Sequence, residues 1–140
     1  MSGDGTEAGR EQLRALMRIA AADLSADTAQ SPGMRRVAAV SAATTGSTSI
    51  WLGLTYVEAG FTSAAHHHGR SETGIYVVSG TPTFRFRDDE RIVDLDTEPG
   101  DFIFVPPFAP HIELNRGDET AVVVIARSTD EAIVENLEEL

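Results

Sequence analysis

From Met34 to the C-terminus the chain alternates short runs rich in Val, Ile, Phe and Thr with turn residues, and this pattern constrains the fold most. The spacing predicts strands near Arg35–Ser41, Ser49–Val57, Ser63–His68, Gly74–Ser79 and Thr83–Arg87. It predicts five more near Arg91–Leu95, Asp101–Val105, His111–Asn115, Ala121–Arg127 and Ala132–Asn136. Asp88-Asp89-Glu90 reads as a hairpin loop, and Pro99-Gly100 marks another turn. Many short strands spaced roughly 8–12 residues apart argue for a sandwich or barrel. No helical pattern lies between them, so a parallel sheet with crossover helices is disfavoured. The expected class is all-β.

The first 33 residues read differently. Leu13, Leu16, Met17 and Ala20 fall at helical spacing, which predicts an amphipathic helix from about Glu11 to Asp23. Ser25 to Gly33 reads as a polar connector. The organisation expected is therefore a helix and connector over 1–33, then a β-barrel domain over 34–140. With 140 residues the chain suits one such domain.

Composition narrows the chemistry. There is no cysteine, which excludes disulfides, thiolate nucleophiles and cysteine-ligated metals. All eleven basic residues are Arg, which excludes side-chain Schiff bases and lysine-ending phosphate loops. A net charge of −11 disfavours nucleic acid and anionic lipid as partners. The N-terminus lacks the apolar core of a signal peptide, and no apolar run is long enough to span a membrane. A cytoplasmic location is expected.

The four histidines occupy two places, His66-His67-His68 and His111. On a strand, side chains alternate between faces, so His66 and His68 share one and His67 takes the other. Glu72 follows at short range, and His111 lies beyond Pro106-Pro107-Phe108-Ala109-Pro110. Three imidazoles and a carboxylate form a mixed nitrogen and oxygen donor set. That set suits one divalent ion of Fe, Mn, Ni, Co or Zn without choosing among them.

At these residues the chain resembles the cupin superfamily. That family's first motif runs Gly, five residues, His-x-His, three or four residues, Glu, six residues, Gly. Here it reads Gly60, His66-His67-His68, Glu72 and Gly80. The second motif runs Gly, five residues, Pro-x-Gly, two residues, His, three residues, Asn. Here it reads Gly100, Pro106-Pro107-Phe108, His111 and Asn115. The resemblance implies an antiparallel jelly-roll barrel of six to eight strands, with His66, His68, Glu72 and His111 as metal ligands. Two departures stand out. Seven residues separate Glu72 from Gly80, so Glu72 keeps its place only if a β-bulge near Thr73-Gly74 absorbs one. Phe108 replaces the second motif's glycine, which suggests an altered turn with the ring at the barrel mouth.

Glu113, two residues past His111, shares its expected inward face. It reads either as a general acid or base or as a hydrogen-bond partner of a ligand histidine. Trp51, Tyr76 and Phe108 are candidate pocket residues, with core packing the ordinary role of Trp51 and Tyr76. Arg127 reads as a partner for a substrate carboxylate or as half of a surface ion pair. Phe84, Phe86, Phe102 and Phe104 read as core. The resemblance implies a metal-dependent enzyme for a small organic substrate, with dioxygenase, isomerase, or lyase and cyclase chemistry, including cyclisation of natural-product intermediates. The alternative is a non-catalytic module that binds a metal or small molecule. Pairing of edge strands into a homodimer is expected by the same resemblance.

Overall fold

The computed structural model describes residues 15–140. Ten strands run in antiparallel order: β1 (Met34–Val40), β2 (Trp51–Val57), β3 (Ala65–His67), β4 (Thr73–Ser79), β5 (Thr83–Asp88), β6 (Arg91–Asp96), β7 (Phe102–Val105), β8 (Ile112–Leu114), β9 (Ala121–Arg127) and β10 (Glu135–Leu137). Strands β1-β2-β9-β4-β7 form one sheet, β6-β5-β8 a second and β10-β3 a third. The two smaller sheets are joined through isolated bridges, Thr62 with Leu114 and His66 with His111. The result is two facing layers, as expected of a jelly-roll barrel.

Alternation sets what faces inward. In the five-stranded sheet, Trp51, Arg127, Thr73 and Val105 lie in one register row. Gly53, Ile125, Ile75 and Ile103 form the next. Ala38, Trp51, Ile75, Val77, Phe84, Val105, Val123 and Ile125 pack as the main core cluster. Gly53 sits where a Cβ would stand 2.1 Å from the Val37 carbonyl oxygen, so only glycine fits that close strand approach.

Phe84 is buried in that core, while its neighbour Arg85 faces out and forms a two-bonded ion pair with Asp94. Phe102 and Phe104 contradict the expectation of core. They are 75% and 62% exposed, because β7 turns Ile103 and Val105 inward instead. Tyr76 stacks against Phe102 on the same outer face, with ring centroids 4.9 Å apart.

The expected N-terminal helix is corrected. Glu11–Arg14 lie outside the described residues. Within them, Ala15–Ala20 is irregular and only Ala21–Asp23 closes a single 3-10 turn. Leu16 is fully exposed and Met17 largely so, so among the described residues these two find no apolar surface to pack against. A short helix without such packing is marginal in water. An unanticipated four-residue helix, α1 (Ala42–Thr45), follows β1, capped by Ser41 Oγ and ended by Gly46 at φ 76°.

Candidate metal centre

β3 and β8 bring the histidines together. His66 and His111 exchange backbone hydrogen bonds of 3.0 and 2.9 Å across the seam that joins the two smaller sheets. Their rings lie 4.4 Å apart between centroids, and His68 lies 5.1 Å from each. All three are buried, and one ring nitrogen from each lies within 4.8 Å of the others. His67 faces away, half-buried, against Phe108.

The ring tautomers follow from the neighbours. His66 Nδ1 lies 2.8 Å from the Ala64 carbonyl, His68 Nδ1 2.9 Å from that of Ile133, and His111 Nδ1 3.0 Å from that of Ala109. A carbonyl oxygen only accepts, so each Nδ1 carries the proton and each Nε2 carries the lone pair. Nε2 of His66 and of His111 is buried without a hydrogen-bond partner. Burial lowers His66 to about 3 and His111 to about 4, and lowers His68 further. Three neutral imidazoles with converging lone pairs, each oriented by a carbonyl, are what a divalent ion requires. The residues present fit such an ion.

Glu72 does not join them. Its side chain is exposed, and it lies outside the three-histidine group. The bulge expected at Thr73-Gly74 is absent, since Thr73 pairs in register with both Arg127 and Val105. The register slips instead between Val77 and Ser79, at the far end of β4. Thr73, Ile75 and Val77 therefore face inward, and a one-residue shift would expel all three from the core. The first motif also permits four residues after His-x-His. Counted that way, Thr73 takes the glutamate's place and six residues reach Gly80. His66 and His68 still face inward, because Gly69, at φ 55°, breaks the strand before β4 begins and frees the two parities from each other.

Glu113 is fully buried, as its parity with His111 suggested. Its Oε2 lies 3.8 Å from His66 Nε2, and its Oε1 has no partner. Burial raises it to about 7, against the opposing pull of Arg36 and Arg127. Arg127 is buried on the inward face of β9, with its guanidinium 5.0 Å from the Trp51 ring centre. Among the described residues it makes no ion pair, and its Nε and Nη1 have no hydrogen-bond partner. Burial lowers it to about 9, which leaves it charged at neutral pH. Trp51 thus lines the interior beside Arg127. Tyr76 does not, being on the outer face, and Phe108 lies beyond it, 62% exposed. Phe108 adopts φ 59°, the conformation of the glycine it replaces, and its N–H donates to the Gly69 carbonyl at 2.8 Å. The turn is thereby kept.

Arg36 escaped the sequence reading, and Thr73 entered it only as the residue that takes the glutamate's position when the bulge is absent. Arg36 is buried on β1, held by Ser31 Oγ at 3.2 Å from both Nη1 and Nη2, with Nε unpartnered. Thr73 is buried with an unpartnered Oγ1. Strand parity was the available signal: Arg36 shares a face with Met34 and Ala38, and Thr73 with Ile75. His111 also borders a cleft of about 260 Å³ between the layers, lined by Phe84, Leu95, Ile103 and Phe104 among others.

A family model described as "Cupin domain" matches residues 53–127. Among solved structures, the polyketide cyclase RemF from Streptomyces resistomycificus superposes with a TM-score of 0.69 at 20% identity, over 88% of this chain and 86% of that one. The S161A mutant of Bacillus subtilis oxalate decarboxylase superposes with a TM-score of 0.68 at 24% identity, covering 79% of this chain and 30% of that one. Another structure of that decarboxylase is described by its Mn(II) centers. Peruvianin-I, a cysteine peptidase from Thevetia peruviana latex, reaches a TM-score of 0.68 at 14% identity, over 77% of this chain and 69% of that one. The chain thus spans about 30% of the decarboxylase's length. No curated protein matches the chain. At these identities the superpositions speak for the fold.

Proposed function

The chain belongs to the cupin domain family, and from that premise we propose that it is a metal-dependent enzyme for a small organic substrate bearing carbonyl, enol or hydroxyl oxygens. The reaction is proton transfer on that substrate, of the isomerase, lyase or cyclase kind. His66, His68 and His111 would hold one divalent ion through Nε2. Such an ion, when bound, polarises a substrate oxygen as a Lewis acid. The donor set suits several first-row ions, and the Mn(II) centers of the structurally similar decarboxylase make Mn(II) the first to test.

One observation carries the choice of proton transfer. Glu113 brings a buried carboxyl group to within 3.8 Å of His66 Nε2, with Oε1 free of any partner. Its backbone is fixed, since Glu113 N–H donates to Ser63 Oγ at 2.9 Å and its carbonyl accepts from Ser63 N–H at 2.8 Å. A carboxyl oxygen so held can take a proton from a carbon or hydroxyl beside the polarised oxygen and return it elsewhere on the substrate. The mostly apolar cleft beside His111 gives a small organic molecule a route to the centre. RemF, which this chain matches over nearly its whole length, is a cyclase, and that favours the same class.

The test uses untagged protein loaded with Mn(II) or Zn(II). Hydroxyacetone in deuterium oxide, followed by proton NMR, reports exchange of hydrogens next to a carbonyl. The loaded protein should accelerate exchange, and Glu113→Gln should lose the acceleration while keeping its metal. Equal rates in the two proteins at equal metal content would remove Glu113 from the reaction.

A further inference from the structure

We infer that the ligand of this site carries a carboxylate, and that Arg127 and Thr73 bind it in the place where the family's first motif carries a glutamate. The inference rests on the function proposed above and names its substrate class. Thr73 and Arg127 stand opposite each other on β4 and β9, both facing inward in the row that also holds Trp51. Thr73 Oγ1 and Arg127 Nε and Nη1 are buried, and none has a hydrogen-bond partner. A guanidinium left in that state is costly, because burial strips its water and the face of the Trp51 ring, which offers no hydrogen-bond acceptor in its plane, is what it meets instead.

The interior does not neutralise itself. Two buried arginines, Arg36 and Arg127, face a single buried acid, Glu113. Among the described residues neither arginine makes an ion pair within 4.0 Å, whereas exposed Arg85, Arg91 and Arg116 all do. Three neutral imidazoles add no negative charge, and a divalent ion between them would add two positive ones. The exposed Glu72 cannot supply the balance from outside. Arg127 stands opposite Thr73, which the motif count puts in the glutamate's place, so an anion at Arg127 would occupy the position where the first motif carries a metal ligand.

A planar carboxylate suits this pair of groups. Arg presents donors in one plane, and a threonine hydroxyl donates a further hydrogen bond to the same oxygen pair. Among the described residues no carboxylate joins the three histidines, which leaves that coordination position to the substrate's own.

The test compares acetate with neutral acetamide, titrated by calorimetry into Zn(II)-loaded protein. Acetate should bind and acetamide should not. Arg127→Met should weaken acetate by about 10- to 100-fold, the worth of a hydrogen-bonded charge contact, while metal content stays at one per chain. Thr73→Glu provides a second probe that keeps Arg127 in place. It should bind metal more tightly and lose acetate, because its own carboxylate then occupies the position. Unchanged acetate affinity in Arg127→Met, or in Thr73→Glu, overturns the inference. So does tighter binding of inorganic phosphate than of acetate, which would point to a tetrahedral anion instead. The same titration on metal-free protein separates the two readings. Arg127-dependent acetate binding in a protein that takes up no metal would overturn the metal centre and leave the carboxylate site standing.

Discussion

His66 and His111 stand directly opposite each other, exchanging both backbone hydrogen bonds, so that one imidazole from each motif reaches the same point. A ligand pair set by backbone pairing needs little side-chain adjustment to bind an ion. His111→Ala is expected to reduce bound metal from one per chain to none detectable by elemental analysis after dialysis. Glu72→Ala should leave it unchanged, since that side chain is exposed and apart from the histidines. Loss of metal in Glu72→Ala would restore Glu72 to the ligand set.

Metal should also stabilise the fold by mass action. At free metal about 100 times the dissociation constant, the expected gain is about 2.7 kcal/mol. Thermal melts with and without chelator check this, and the gain should vanish in His66→Ala. A gain that survives that substitution would place the ion elsewhere.

The metal-free protein should lose stability as pH falls. Burial holds His66 at about 3 and His111 at about 4, against the usual 6.5, and holds His68 lower too. Below about pH 6.5 the unfolded chain takes up protons that the folded one refuses, so each lowered histidine favours unfolding. Glu113 acts in the opposite sense. Raised from 4.5 to about 7, it keeps its proton in the folded state, and the stability this contributes is lost as pH rises through 7. Three histidines outweigh one glutamate, so Tm should fall from about pH 7 to about pH 5. Glu113→Gln should steepen that fall. A flat profile would mean that the rings ionise freely.

Asn115 holds the end of the second motif in place. Its buried Nδ2 donates to the carbonyls of Val57 and Glu119 at 2.9 and 2.7 Å, and its Oδ1 accepts from Gly117 N–H at 3.0 Å. Asn115→Ala orphans two carbonyls and one N–H, which should cost about 1–3 kcal/mol in urea denaturation. Metal content at low temperature should stay at the wild-type level, because Asn115 positions a loop and touches no histidine.

The outer face of the five-stranded sheet should be where two copies of this chain pair. Leu54, Val124, Tyr76 and Phe102 form one row across four strands, with Leu52, Ala126, Gly74 and Phe104 beside it. Those two rows carry no charge on a chain of net charge −11, and the charge at their β1 end is Arg35, laid over the Tyr56 ring, so two copies meet there at little electrostatic cost. Light scattering should report a dimer, and Phe102→Ser with Phe104→Ser a monomer. A monomeric wild-type chain at micromolar concentration would remove the pairing.

Ten strands, the inward pairing of His66 with His68, and the approach of His111 were legible in the sequence. The first two follow from local chemistry, since alternation assigns faces and turn residues bound the runs, whereas the approach of His111 came from the resemblance to the two motifs. Glu113 was legible by the same alternation, being two residues from His111 on one strand. Three things required the folded chain. The place of Glu72 depended on where β4 slips its register, and that slip lies at Val78, remote from the glutamate, where packing of Ile75 and Val77 decides it. The N-terminal helix depended on a partner surface, which its apolar stripe does not find among the described residues. The pairing of Arg127 with Thr73 and Trp51 depended on strand order, which places β9 between β2 and β4. Periodicity is a property of neighbours along the chain, and it reports which face a side chain takes. Which side chains then face one another across strands far apart in sequence is settled only by the pairing of the sheet.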